Sequence, residues 1–345
     1  MLNFKYRKDI QGLRGFSVLV VLLYHLNIPF LTGGFIGVDI FFVISGYVIT
    51  GTLINEFQKF GRIDLINFYA RRIRRLAPAL FVTLFFSSLF AVFLFTPNAL
   101  INYGNSLIAT VLEVSNFYFL TQTDYFDINT NFRVLLHTWS LGVETQFYLI
   151  LPMLFIAISK LSFKTKFISL LCLITLSIFL NLINLNGIIF GIDQKSVSFY
   201  LLPFRLYELM AGVLLAVVNF DINHSKSNIY KLLFFYIGLL LILYSIFRLD
   251  DSTQSFYLLI PVTGSFLIIL SDINPFIFTN KLLVFLGDIS YPLYLLHWPI
   301  IIFFRYLTFD EITILQDFLI LALSILLSTL LYKYVELPLR NKSNI

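Results

Sequence analysis

The stretch GLRGFSVLVVLLYHLNIPF, residues 12–30, combines a long apolar run with two ionisable side chains. Between Arg14 and Pro29 it predicts a membrane-spanning helix, because its length approaches the ~20 residues that cross a bilayer. Arg14 stands at one end of this run and His25 lies well inside it. Their separation of eleven residues is about three helical turns, roughly 16 Å of rise, so both lie on nearly the same helix face. The stretch therefore predicts a membrane helix that aligns a guanidinium with an imidazole.

Apolar runs of this kind recur along the whole chain, which is 59% hydrophobic and 12% charged. Such a composition excludes a soluble domain, since too little polar surface would remain to meet water. The sequence thus predicts an all-α protein, a polytopic bundle of transmembrane helices. The net charge of +5 does not indicate nucleic-acid binding, because in a membrane protein charge acts through its placement across the bilayer. The single cysteine and the scattered histidines offer no metal-ligand spacing, so we expect no metal.

Ten spans are predicted, which places both termini on the same side of the membrane. When that side is the cytoplasm, most of the 24 Lys and Arg residues fall on the inner segments, as the positive-inside rule requires. We expect one integral membrane domain over residues 1–345, in the bacterial cytoplasmic (inner) membrane, with no appended extracytoplasmic domain. The predicted spans cover residues 13–31, 35–55, 76–96, 138–159, 167–186, 198–219, 232–248, 256–271, 286–306 and 313–333. In the long outer segment 97–137, residues 106–120 predict a short helix in or re-entering the outer face.

Asp39 lies about one turn into the second span, at a depth comparable with His25. A charged side chain inside a membrane is costly, so such residues mark functional sites or lock helices together. A carboxylate beside an imidazole raises its basicity, as general-base catalysis requires. Asp39 is therefore a candidate partner of His25, with a structural Asp–His pair as the alternative. Gly33, Gly34, Gly37 and Gly46 predict close packing of this span on a neighbour.

The segment HTWSLGVETQFY, residues 137–148, opens the fourth span with polar side chains on one face. His137 and Glu144 are seven residues apart, Ser140 lies between them, and Tyr148 follows one turn later. Exposure of these groups to lipid is too costly, so they must line the interior of the bundle or a cavity. One face of this helix is therefore polar through its outer half, and Glu144 is an ionisable residue on that face, which marks a functional site or locks helices together.

Two further positions have a structural and a functional interpretation. Arg205 and Glu208 are three apart on the sixth span and are expected to pair with each other, mainly in a structural role. His297 lies towards the outer end of the ninth span, where an interfacial anchor and a functional group are both consistent with the sequence.

The segment FYARRIRRLAP, residues 68–78, places a basic cluster before the third span. Such clusters commonly set topology or contact anionic lipids. Arg72 and Arg75 are three apart, however, so a helix presents two guanidiniums on adjacent turns, and guanidiniums bind phosphate oxygens with fixed geometry. Together with Arg14 they are candidates for a cytoplasmic phosphate site.

Seven segments in order resemble the membrane-bound acyltransferase-3 family, which includes O-antigen and other cell-surface polysaccharide acetylases. They extend from residue 9 to residue 340: DIQGLRGFSVLVVLLYH, GGFIGVDIFFVISGYVIT, NFYARRIRRLAPAL, HTWSLGVETQFYLILPML, FRLYELMAG, LGDISYPLYLLHWPI and VELPLR. The resemblance implies transfer of an acyl group, such as acetyl, from cytoplasmic acetyl-CoA or another acyl-CoA to a hydroxyl of an extracytoplasmic glycan. The family's Arg-x10-His element falls on Arg14 and His25, its Arg-x-x-Arg element on Arg72 and Arg75, and the acid of its Trp-Ser-Leu-x-x-Glu element on Glu144.

The residues and the resemblance agree on one mechanism. In this hypothesis Arg14, Arg72 and Arg75 are expected to hold the coenzyme A phosphates, and the thin pantetheine arm is expected to thread along the first helix towards His25. His25 acts either as general base on the acceptor hydroxyl or as a transient acyl carrier, with Asp39 or Glu144 orienting it. Two alternatives are a transporter or flippase of lipid-linked sugars, against which the missing internal repeat counts, and a non-catalytic membrane scaffold.

Overall fold

A computed structural model describes residues 7–122, 133–183, 188–189, 192–221, 228–250, 253, 255–309 and 312–340. The described chain is helical apart from one antiparallel pair of two-residue strands, in which Ile188 pairs with Asp193 and Ile189 with Ile192. The helices are α1 Lys8–His25, α2 Gly37–Phe60, α3 Leu65–Leu94, α4 Pro97–Val111, α5 Ser115–Thr121, α6 Trp139–Ser159, α7 Phe163–Leu182, α8 Gln194–Tyr200, α9 Leu202–Asp221, α10 Asn228–Arg248, α11 Leu259–Ser271, α12 Phe276–Thr279, α13 Lys281–Asp288, α14 Ser290–Thr308, α15 Ile314–Leu331 and α16 Leu337–Arg340. The strands are β1 Ile188–Ile189 and β2 Ile192–Asp193.

Seven helical stretches of the described chain are long and apolar enough to cross a membrane: Gly34–Phe60, Leu65–Leu94, Leu136–Ser159, Phe163–Leu182, Leu202–Asn219, Asn228–Arg248 and Ile314–Arg340. The all-helical membrane architecture expected from the composition is therefore confirmed. The three other predicted spans are also helical, in α1, α11 and α14, but they do not belong to these seven.

The first helix lies closer to the N-terminus than the predicted span 13–31. It begins at Lys8 and ends at His25, so the imidazole stands on its last residue and not in its interior. The chain turns directly afterwards, where Asn27 and Phe30 have φ angles of 54° and 72°. Left-handed residues of this kind end a helix, which explains the early stop. Residues 106–120, predicted as one short helix, are divided between α4 and α5 by a turn at Glu113 with φ 57°.

Residue contacts divide the chain into two compact units. Unit 1 comprises Met1–Ile63 and Val143–Gly287, and unit 2 comprises Asp64–Gly142 and Asp288–Ile345. In unit 1, α2 and α9 run parallel, because Asp39 meets Arg205 and Gly46 meets Leu209. The helix α1 runs antiparallel to α2, since Tyr24 packs at Gly34 and Ser17 packs at Gly37.

Close backbone contact holds α2 against α9. A Cβ atom added at Gly46 would lie 2.0 Å from the Leu209 carbonyl oxygen, and one at Gly212 would lie 2.0 Å from the Val43 carbonyl oxygen. Small residues permit such contact, which increases van der Waals packing between membrane helices. The predicted tight packing of the second span through its glycines is thus confirmed.

In unit 2, α3 packs on α4 and α14. The Tyr291 hydroxyl on α14 donates a 2.9 Å hydrogen bond to the Leu76 carbonyl, and the hydroxyls of Ser88 on α3 and Tyr103 on α4 are 2.9 Å apart.

Large apolar side chains of α3 are exposed, including Phe85 at 65% and Phe93 at 79%. Ionisable groups such as Asp39 and Arg205 are buried in unit 1. An apolar exterior with a polar interior is the distribution that a lipid solvent favours.

Candidate active site

One continuous helix carries Arg14 and His25, as the sequence predicted. Both side chains are half-buried. Towards α12 and α13, the same helix presents Gly12 and Gly15, whose added Cβ atoms would meet the backbone of Phe278 and Leu283. The Arg14 guanidinium donates to the Gln11 side chain at 3.5 Å. The His25 ring lies against Tyr24, with 5.1 Å between ring centroids.

Asp39, Arg205 and Glu208 form a buried ionic cluster between α2 and α9. The Arg205 guanidinium lies 2.9 Å from the Asp39 carboxylate and 3.1 Å from the Glu208 carboxylate. The predicted Arg205–Glu208 pair is therefore confirmed. Among the described residues the Asp39 carboxylate pairs with Arg205, and the expected contact with His25 is not formed. The reason is geometric, since Asp39 points from α2 towards α9 while His25 belongs to α1.

Glu144 accepts hydrogen bonds from two hydroxyl groups, those of Ser45 on α2 and Tyr148 on α6. Both bonds reach the same carboxylate oxygen, and the two hydroxyls are themselves 3.4 Å apart. Ser45 and Glu144 keep part of their surface exposed, whereas the neighbouring ionic cluster is sealed. Two hydroxyl donors on one oxygen fix the orientation of the carboxylate. Glu144 is thus a preorganised acceptor inside unit 1.

Helical rise gives the relative depth of these groups along α2. Asp39 and Ser45 are six residues apart, which is about 9 Å. The Tyr24 ring, next to His25, contacts the ring of Phe35 with 5.7 Å between centroids, one turn before Asp39. Unit 1 therefore has His25 near the start of α2, the ionic cluster next, and Glu144 deeper.

Unit 2 contains Arg72 and Arg75, both on α3. Asp64 caps the N-terminus of this helix by accepting a 3.0 Å hydrogen bond from the Asn67 backbone amide. Both arginines lie inside this helix, as predicted. They are the half-buried members of the basic cluster, while Arg71 and Arg74 are exposed. The Arg72 guanidinium lies 5.7 Å from the centre of the Phe68 ring, which stabilises a cation on that side.

A second polar group in unit 2 joins the start of α6 to α14. The Nε2 of His137 donates to the Leu295 carbonyl at 3.1 Å, and the centroids of the His137 and His297 rings are 5.8 Å apart. The Ser140 and Tyr294 hydroxyls are 2.6 Å apart. His297 thus belongs to a buried cluster and is not an interfacial anchor. The polar face predicted for the fourth span is divided, with His137 and Ser140 in unit 2 and Glu144 and Tyr148 in unit 1.

Sequence reasoning missed the anchor of α1. The Arg7 guanidinium binds Asp9 at 2.6 Å, donates to the Tyr47 hydroxyl at 3.3 Å and lies 3.2 Å from Asp272. Burial lowers the pKa of Arg7, but the hydrogen bond and charge of Asp9 outweigh this, so the pKa lies above its ordinary value. The Arg-x-Asp spacing before an apolar run was the available signal. This network sets the position of the helix that carries Arg14 and His25.

The described residues contain no group of three or more His, Cys, Asp or Glu side chains able to hold a metal ion. The fold and these sites define a polytopic helical membrane protein with ionisable side chains buried between its packed helices. The family model described as an acyltransferase domain matches residues 7–333, and the chain belongs to this acyltransferase-3 family.

Curated relatives agree with this assignment. Over 363 residues the chain is 33% identical to "Putative O-acetyltransferase SAS0844" of Staphylococcus aureus strain MSSA476, covering 98% of this chain and 58% of the relative. Over 353 residues it is 33% identical to O-acetyltransferase OatA of S. aureus strain NCTC 8325 / PS 47, with the same two coverages of 98% and 58%. The chain therefore spans little more than half the length of these relatives. No solved structure matches the chain.

Proposed function

We propose that this protein is a membrane-bound O-acyltransferase that moves an acyl group, acetyl in the first instance, from cytoplasmic acyl-CoA to a hydroxyl of an extracytoplasmic cell-surface glycan. Membership of the acyltransferase-3 family and the names of the O-acetyltransferase relatives support the reaction class. The observation that carries the proposal is α1, one helix that bears Arg14 and His25 about three turns apart.

The proposed topology has ten spans in the bacterial cytoplasmic (inner) membrane, with both termini in the cytoplasm. The seven long apolar stretches provide most of these spans, and α1, α11 and α14 complete them. The placement of the basic residues supports this orientation. We treat both units as one acyltransferase domain, which the match over residues 7–333 supports.

Arg14, Arg72 and Arg75 are the proposed ligands of the donor phosphates. The half-burial of all three favours this role, because a guanidinium shielded from water binds phosphate more strongly than an exposed one. Acetyl-CoA is the proposed donor, and no metal takes part in the proposed reaction.

His25 is the proposed catalytic group on the acceptor side, as general base or as transient acyl carrier. Glu144 is proposed as a catalytic carboxylate, and its two hydroxyl partners support a fixed position. Asp39 is retained as a residue required for activity. Its pairing with Arg205 supports an indirect role, in which the cluster fixes α2 against α9.

The proposal is tested by measuring the ester-linked acetate on the surface polysaccharide of a deletion strain. The strain is complemented with wild type, His25→Ala or Leu19→Ala. Leu19 is a half-buried apolar position on the same helix and serves as the matched control. We expect wild type and Leu19→Ala to restore the ester, and His25→Ala to restore none at equal membrane levels. Restoration by His25→Ala would contradict the role of His25. An unchanged ester content in the deletion strain would contradict the glycan acceptor.

A further inference from the structure

A cavity of about 190 Å³ lies in unit 1, where α2, α6 and α9 end and α7 begins. Its floor is apolar and closed: Ile54, Phe155, Ile158 and Val217 are each 4–7% exposed. Phe57 completes the floor, with its ring edge-on to Phe155 at 6.1 Å between centroids. The four helices therefore enclose an apolar recess at one end of the bundle.

The rim of this cavity is polar and carries one positive charge. Gln58 and Ser159 contribute neutral polar groups, and Lys166 is the charged residue among those that line the cavity. The Lys166 side chain is half-buried, whereas Lys164 on the same helix is exposed and does not line the cavity. An apolar floor beneath a single ammonium group matches an amphiphile with an apolar chain and one anionic head group.

We propose that this cavity binds one anionic phospholipid, with a segment of acyl chain on the apolar floor and the phosphate at Lys166. The four helices that frame the cavity all belong to the stretches long enough to cross a membrane, so lipid is the amphiphile that surrounds them. In the proposed topology this end faces the cytoplasmic leaflet, where anionic lipids attract lysine. Coenzyme A, with several phosphates, fits a rim with one cation less well.

The size of the cavity limits what enters it. A volume of about 190 Å³ leaves room for a short chain segment and not for a second helix. A lipid held there would join the ends of α2, α6, α7 and α9 within unit 1. The cavity lies towards the end of α2, beyond Ser45.

Native mass spectrometry of the purified full chain tests the site, with dioleoyl phosphatidylglycerol and dioleoyl phosphatidylcholine offered in equal amounts. We expect wild type to retain one phosphatidylglycerol in preference to phosphatidylcholine. Lys166→Gln should weaken this retention about fivefold, the effect of one interfacial lysine–lipid contact, and Lys166→Glu should weaken it more. Lys164→Glu is the matched control and should retain lipid as wild type does.

A floor variant gives a second readout that does not depend on charge. Ile54→Phe narrows the recess and should reduce retention of the lipid while Lys166 is still present. Equal retention of both lipids, equal losses in the Lys164 and Lys166 variants, or displacement of the lipid by added coenzyme A would each overturn the proposal. Because the readout is bound lipid, the lipid-preference and variant results do not depend on the transfer activity, whereas displacement by coenzyme A would assign the cavity to the donor instead.

Discussion

Asp39 on α2 and Arg205 on α9 form a 2.9 Å ion pair whose side chains are 1% and 3% exposed. Glu208 is the third member of this cluster, 3.1 Å from the same guanidinium. A charge in a membrane interior is tolerated when it is paired, so this cluster ties the two helices together. The glycines at 46 and 212 bring the two backbones close enough for that pairing.

Removing the cation of this cluster should be strongly destabilising. In Arg205→Leu the carboxylates of Asp39 and Glu208 lose their counter-charge, and we expect a loss of about 3–5 kcal/mol in the free energy of unfolding. Thermal unfolding of the detergent-solubilised protein measures this. Arg248→Ala, at the exposed end of α10, is the control and should change the free energy by less than about 0.5 kcal/mol.

Neutralising the whole cluster should recover much of that loss. The variant that combines Arg205→Leu, Asp39→Asn and Glu208→Gln leaves no unpaired buried charge. Its unfolding temperature should therefore exceed that of Arg205→Leu alone. A triple variant no more stable than the single one would contradict an electrostatic origin.

The close contact between α2 and α9 can be tested with two alanines. Gly46→Ala forces a methyl group against the Leu209 carbonyl, and we expect a loss of about 1–3 kcal/mol from overpacking. Gly104→Ala on α4 meets no atom within 4 Å and should gain about 0.5–1 kcal/mol from helix propensity. Opposite shifts in unfolding temperature are the expected result, and a shift of the same sign in both would speak against the packing argument.

Substitution of a half-buried arginine of α3 should lower donor affinity, whereas substitution of an exposed arginine on the same helix should not. If Arg75 binds a donor phosphate, Arg75→Gln should raise the KM for acetyl-CoA about tenfold, in line with the loss of one charge-assisted hydrogen bond. Arg74→Gln, one residue earlier and exposed, should leave the KM unchanged. Initial rates of acetyl transfer in proteoliposomes measure both values. Equal effects would indicate a general surface-charge contribution in place of a site.

Glu144 should matter for rate more than for folding. Glu144→Gln preserves the shape of the side chain but removes the carboxylate that accepts from Ser45 and Tyr148, and we expect transfer to fall about 10²–10⁴-fold. Tyr148→Phe removes one of the two donors and should cause a smaller loss. Glu56→Gln on α2 is the control. Initial transfer rates at matched protein levels measure these effects. A fully active Glu144→Gln variant would contradict the catalytic role of Glu144.

Local properties of the chain were predictable from the sequence. Apolar runs identified the membrane helices, helical spacing placed Arg14 and His25 on one face of α1, and the i,i+3 spacing anticipated the Arg205–Glu208 pair. Each of these depends on residues within a few turns of one another, where the geometry of the α-helix alone sets the distance.

Contacts between helices were decided by the tertiary structure. The sequence placed Asp39 at the same depth as His25. Depth does not determine which neighbouring helix a side chain faces, however. The close glycine contact between α2 and α9 brought Asp39 to Arg205. In the same way, the position of α2 beside α6 gave Glu144 its Ser45 partner, whereas Tyr148 follows one turn later on the same helix as Glu144. The turn at Asn27 set the end of α1 at His25. Periodicity specifies which face of a helix a side chain lies on. The partner that this side chain meets depends on which neighbouring helix packs against that face, and the packing of the whole bundle decides that.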